Sequence, residues 1–162
     1  FVCSANLTRN TGGSKPHRGI DLYAEQDTKL YSMYDGTVVS IFDKVKRDEY
    51  FGGKGKTQKR YSKNYVGSLG NDIQIQSTIK GKNIIIRYCH LNKLEVKKGE
   101  KVKQGQYIGL TGRNGNAGKK VGNTKHQSNE PHLHIQIQNN TNTDPMDYLT
   151  TKFDDNGNKI KK

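Results

Sequence analysis

The stretch Pro131-His132-Leu133-His134-Ile135-Gln136-Ile137-Gln138 decides how the chain is read. Leu133, Ile135 and Ile137 alternate with His132, His134, Gln136 and Gln138, the period of two that marks a half-buried β-strand. One face is apolar and the other can do chemistry. Residues i and i+2 of a strand point the same way, so His132 and His134 project side by side. Paired imidazoles on one rigid strand suit a metal site. A bare His-x-His is also found on ordinary surface strands, so the motif needs partners from elsewhere in the chain.

Outward from this strand, the preceding polar loop Arg113 to Glu130 is rich in Gly, Asn and Lys, and its His126 reads as a solvated loop residue. After it, Thr143-Asp144-Pro145-Met146-Asp147-Tyr148-Leu149 closes the domain. We therefore divide the chain into a domain at 1–150 and a polar, basic tail or linker at 151–162. Upstream, Asp72 to Ile79 and Asn83 to Leu91 alternate as two strands joined at Lys80-Gly81-Lys82. In the second, Ile84, Ile86, Tyr88 and His90 share one face, while Ile85, Arg87, Cys89 and Leu91 share the other. His90 ends its strand at a rim, a place where a lone histidine is often structural. Leu94 to Gly99, Glu100 to Gly105 and Gln106 to Gly112 read as short β pieces punctuated by glycine.

Lys29 to Met33 and Gly36 to Phe42 read as strands joined at Tyr34-Asp35-Gly36, where Asp-Gly signals a hairpin. Between Asp43 and Gly70 no period survives. That segment is either a basic, tyrosine-bearing wall of a substrate groove or a solvated excursion. No amphipathic helix is evident anywhere, so the fold class is all-β, a single antiparallel β domain with a groove walled by long loops.

Near the start lies Lys15-Pro16-His17-Arg18-Gly19-Ile20-Asp21-Leu22-Tyr23. Taken as a strand, it puts His17, Gly19 and Asp21 on one face and Ile20 and Leu22 on the other. The glycine leaves space for an ion between two potential ligands, and Pro16, Gly19 and Ile20 disfavour a helix. By itself the motif also fits a turn histidine beside a capping aspartate.

Composition sets the outer bounds. The 162 residues suit one domain, and a hydrophobic fraction of 30% demands an economical core. Mean hydropathy is -0.97, and even the longest apolar runs are short, such as Ile84 to Ile86, so no segment could span a bilayer as a helix. Lys and Arg total 28 against 15 acidic residues, a formal charge of +13, which attracts polyanions or merely keeps the chain in solution. There is no zinc-finger spacing, RRM-type strand motif or recognition helix, which argues against nucleic acid as partner. Phe1 follows no leader pattern, so either a leader has been removed or the chain is a piece of something larger. A secreted domain could pair Cys3 with Cys89, while a reducing compartment would leave both as small buried hydrophobes, and their spacing says nothing about their distance in the fold.

Taken together, His17-x-Gly19-x-Asp21, Tyr88-Cys89-His90-Leu91, Val96 to Thr111, Pro131 to Ile137 and Asp144-Pro145 occur in an order that resembles the lysostaphin-type (LytM-like) zinc endopeptidases of peptidoglycan. Arg9 matches an arginine often found just upstream. The resemblance implies that His17, Asp21 and His134 are zinc ligands and that His90 and His132 are catalytic. Such a ligand set leaves one zinc position open, as catalytic sites require, and the ion would bring a water's pKa to about 7. Without an HExxH glutamate, one catalytic imidazole would accept the water's proton and the other would donate to the oxyanion, a contribution of about 3 kcal/mol per donor. Either histidine fits either role.

The chain also departs from the family pattern. Ile135 stands for an aromatic, Gln136 for a frequent glutamate and Asp27 for a usual turn glycine. The loops at 43–70 and 113–130 are longer than in compact members.

The implied function is hydrolysis of a murein cross-link, with a D-alanyl link to a diamino acid favoured over a glycyl-glycine bond. The setting would be secreted, periplasmic or wall-associated, as a remodelling enzyme or an antibacterial toxin domain. Partners would be cross-link peptides, with anionic wall polymers or an immunity or inhibitor protein besides. The competing expectation is a non-catalytic murein-binding regulator of another hydrolase.

Overall fold

A computed structural model describes residues 2–4 (backbone only), 19–49, 69–115, 117, 131–139 and 143–151. The strands are β1 (Val2–Ser4), β2 (Ile20–Tyr23), β3 (Lys29–Tyr31), β4 (Gly36–Phe42), β5 (Asp72–Ile79), β6 (Lys82–Cys89), β7 (Leu91–Leu94), β8 (Lys101–Val102), β9 (Tyr107–Thr111) and β10 (His132–Ile137). A 3-10 turn at Pro145–Tyr148, capped by Asp144, is the one helical element among the described residues. The strands form a seven-stranded sheet in the order β1-β2-β10-β6-β5-β4-β8 and a three-stranded sheet, β3-β9-β7. Every pairing is antiparallel. The expected all-β class is the fold.

The alternation along β10 does what its pattern requires. Leu133, Ile135 and Ile137 are buried in one hydrophobic cluster with Ile20 of β2, Ile73 and Ile75 of β5, Ile84, Ile86 and Tyr88 of β6, and Leu30, Leu91 and Ile108 of the smaller sheet. Slipping β10 by one residue would turn three of these side chains to the polar face, at about 1.5–3 kcal/mol each. The apolar half of the strand therefore fixes where His132 and His134 point. β10 also lies between β2 and β6, held on both edges.

Three sequence expectations are corrected. Lys29 to Met33 and Gly36 to Phe42 do not form a hairpin: β3 pairs with β9 in the small sheet, while β4 pairs with β5 and β8 in the large one. Tyr34-Asp35-Gly36 is thus a crossing between sheets, and its Asp35 carboxylate accepts from the Gln104 backbone N–H at 2.8 Å instead of closing a turn. Leu94 to Gly99 is not an independent strand, because β7 already ends at Leu94. Asn83 to Leu91 is not continuous either, because His90 has φ 64° and separates β6 from β7. A left-handed residue reverses the alternation, so Leu91 joins Tyr88 in the core and His90 turns to the opposite side.

Two turns carry their own logic. Lys80 and Gly81 have φ 50° and 75° between the paired residues Ile79 and Lys82, the two-residue hairpin expected from a Lys-Gly pair. Asp27, standing for a turn glycine, is left-handed at φ 65°. It is held by donors: Asn92 Nδ2 at 3.0 Å and Arg47 Nη1 at 2.9 Å, which keep its carboxyl below the usual carboxylate range. The tail at 152–162 and most of both long loops, 50–68 and 116 with 118–130, lie outside the described residues.

Candidate metal centre

Register brings the site together. His134 of β10 faces Asp21 of β2 on one side and Cys89 of β6 on the other, and Cys89 in turn faces Asp72 of β5. Directly opposed residues in an antiparallel ladder lie about 5 Å apart, so Asp21 and His134 meet although they come from opposite ends of the chain. His134 Nδ1 is 2.7 Å from Asp21 Oδ1. His132, two residues back on the same face, has Nε2 at 3.7 Å from that same oxygen.

His90 completes the cluster from the third direction. Its ring meets His132 edge-on with centres 4.8 Å apart, and His134 at 5.9 Å. His90 and His134 are nearly fully buried, 2% and 4% exposed. Burial, reinforced by His132 and His134, holds the His90 imidazole well below the usual histidine range. His90 Nδ1 lies 2.8 Å from the Asn114 carbonyl oxygen, which can only accept. The N–H is therefore on Nδ1, and Nε2 is the ring's acceptor.

The scaffold behind His90 is built from two buried asparagines that no motif marks. Asn71 and Asn114 are 1% and 0% exposed. Asn114 Oδ1 accepts from the Asn71 N–H at 3.1 Å, and Asn114 Nδ2 donates to the Leu91 carbonyl at 2.7 Å. Asn71 Oδ1 accepts from the N–H groups of Lys44 and Val45, both at 2.8 Å, and its Nδ2 donates to the carbonyls of Val45 and Leu91. His90 N–H donates to the Leu69 carbonyl at 3.0 Å, and Leu91 N–H to that of Asn71 at 3.1 Å. The left-handed backbone of His90 is thus braced on both sides, which such a conformation needs at a cost of roughly 1–3 kcal/mol. Gly70, at φ 66°, cannot carry a side chain, because a Cβ would fall 2.0 Å from Asn114 Oδ1. Single buried asparagines have no periodicity, so nothing in the pattern singles them out.

His17, Arg9 and His126 lie outside the described residues. Among the described residues, no group of three His, Cys, Asp or Glu side chains is arranged to hold a metal ion. The described part of the expected ligand set is the Asp21–His134 pair. Its chemistry suits zinc, being one imidazole nitrogen and one carboxylate oxygen at adjacent positions. The backbone makes room for it. Gly19 sits at φ 140°, and a Cβ there would come within 2.8 Å of His134 Cε1 and Nε2 and 2.5 Å of the Ile135 carbonyl. Cys89 is a free, fully buried thiol, pushed up in pKa by that burial.

A model of peptidase family M23 matches residues 15–147. The chain is 34% identical over 122 residues to the peptidoglycan DD-endopeptidase ShyA of Vibrio cholerae, covering 75% of this chain and 20% of that protein. It is 29% identical over 160 residues to the glycyl-glycine endopeptidase ALE-1 of Staphylococcus capitis, covering 90% and 35%. The chain thus spans about a fifth to a third of the length of these curated relatives. Among solved structures it is similar to the catalytic domain of lysostaphin from Staphylococcus simulans, with TM-score 0.55 and 27% identity over 84% of this chain and 80% of that one. A zinc-containing peptidase from Vibrio cholerae superposes with TM-score 0.53 and 27% identity over 86% and 34%.

Proposed function

The chain belongs to peptidase family M23, and on that premise we propose that it is a zinc-dependent peptidoglycan endopeptidase that hydrolyses a peptide bond in the murein cross-link. The observation that carries this reading is the convergence of Asp21, His134, His132 and His90 on one polar face. His17, Asp21 and His134 would hold the ion. Zinc bound there supplies Lewis acidity, lowering the pKa of a water to about 7 and polarising a carbonyl.

The protein's own part is orientation and proton traffic. His90 Nε2, the acceptor end of a ring pinned through Nδ1 to Asn114, takes a proton from the attacking water. Its neutral form is the one favoured by burial, so the acceptor is ready without first losing a proton. His132, the more exposed of the two, is placed to donate to the oxyanion that develops on the scissile carbonyl.

A D-alanyl link to a diamino acid is the favoured bond, supported by the higher identity to the DD-endopeptidase, 34% against 29% for the glycyl-glycine endopeptidase. The relatives' wall substrates support a secreted, periplasmic or wall-associated setting. The formal charge of +13 supports attraction to anionic wall polymers.

Mass spectrometry of fragments released from two purified mureins tests the proposal, one directly cross-linked and one glycine-bridged. Release from the first supports it. Release from the second alone reassigns the bond to glycyl-glycine. A zinc-loaded protein inert on both, yet retained by the walls, is a non-catalytic murein-binding regulator.

A further inference from the structure

We propose that Gln136 is a positioning residue that sets the tautomer of His134, keeping the ring hydrogen on Nε2 so that Nδ1, the nitrogen facing Asp21, presents its lone pair as a ligand atom. This deepens the zinc reading above and rests on it. His134 stands between two neighbours: Asp21 Oδ1 is 2.7 Å from Nδ1, and Gln136 Oε1 is 3.3 Å from Nε2. Both are acceptors, and a neutral imidazole has a single N–H to give.

The Gln136 amide makes one other contact among the described residues. Gln136 Nε2 donates to Gln138 Oε1 at 2.6 Å, so the amide nitrogen is engaged away from the ring and the oxygen faces it. His134, Gln136 and Gln138 occupy alternate positions of β10 and so share one face, which lines up the relay. Gly19 lies against the Cε1–Nε2 side of the ring, where a Cβ would come within 2.8 Å of both atoms. With its hydrogen on Nε2, His134 presents the Nδ1 lone pair where the Asp21 carboxylate stands, as a metal-ligating imidazole must. Were the amide reversed, Nδ1 would carry the hydrogen and be blocked.

Zinc affinity measured by chelator competition on the full chain distinguishes these cases, alongside the thermal midpoint of each zinc-free protein. Gln136→Ala removes the acceptor, and we expect zinc affinity to fall about ten- to a hundredfold with the midpoint little changed. Gln136→Glu can only accept, and should bind zinc as tightly as wild type or more so. Unchanged affinity in Gln136→Ala overturns the assignment. Equal loss in both variants also overturns it, because it makes Gln136 a donor to the ring. Wild-type protein that takes up no zinc fails the underlying reading itself, a result separable from the other two.

Discussion

His90 and His132 stand edge to face with ring centres 4.8 Å apart, on elements that the chain reaches by quite different routes. His132 arrives on a central strand and His90 on a left-handed kink between two strands. Neither is in the proposed ligand set, so His90→Ala and His132→Ala should each lose about 10²–10⁴-fold in turnover of purified murein while still binding zinc. Either variant retaining wild-type turnover would remove that histidine from the catalytic pair.

Asn114→Ala should damage the fold and the chemistry together. It strands the buried Asn71 N–H and takes one donor from the Leu91 carbonyl. We expect a loss of about 1–3 kcal/mol in urea unfolding. Turnover should fall beyond what the unfolded fraction explains, because the braced carbonyl that pins His90 shifts. Full stability and full activity in this variant would mean that the buried asparagines are incidental.

Gly19→Ala tests the cradle under His134. Its backbone is at φ 140°, and the added carbon would meet the Ile135 carbonyl at 2.5 Å and the imidazole at 2.8 Å. Strain of this kind costs about 1–3 kcal/mol, and the cheapest relief is displacement of the His134 ring. Zinc uptake by the variant should be weakened; wild-type affinity would show that the ring does not depend on this backbone.

Arg87 and Asp72 form a buried ion pair, Nη2 to Oδ2 2.6 Å, with side chains 5% and 1% exposed. Asp72→Ala leaves the guanidinium charge buried opposite Gln136, and should cost about 3–5 kcal/mol in chemical denaturation. A change near zero would require the pair to be solvated in a way its burial contradicts.

Tyr88 predicts an alkaline transition. Burial pushes its phenol up to about 12 from the usual 10.0, partly offset by the Met33 N–H that donates to its oxygen. Between these values the unfolded chain has released the proton that the folded chain retains, so stability falls as pH rises. The loss approaches roughly 2–3 kcal/mol by pH 12. Urea midpoints measured between pH 9 and 12 should decline in wild type, and the decline should flatten in Tyr88→Phe.

Much of this was legible in the chain and some of it was not, for physical reasons. A strict period of two fixed β10, β5 and most of β6, because each buries one face and a slipped register would expose it. It also placed His132, His134 and Asp21 on faces that do come together. Alternation failed at His90, since a single left-handed residue inverts the sides of everything after it and leaves no trace in hydrophobicity. Strand partners were equally invisible. The Asp-Gly at Asp35-Gly36 looks like a hairpin locally, but Leu30 pairs opposite Gly109 in the smaller sheet and Val38 opposite Ile75 in the larger one, and both are buried in the shared core. The asparagine scaffold and Gln136 act through single hydrogen bonds, which no periodic pattern records.

The central claim is that His17, Asp21 and His134 hold a zinc ion on which murein hydrolysis depends. The most direct test is the rate at which cross-linked muropeptide dimers become monomers, with zinc-loaded wild type and His134→Ala assayed side by side. Wild type should convert the dimers, and the variant should show no conversion above background. Equal conversion of dimers by both proteins would contradict it.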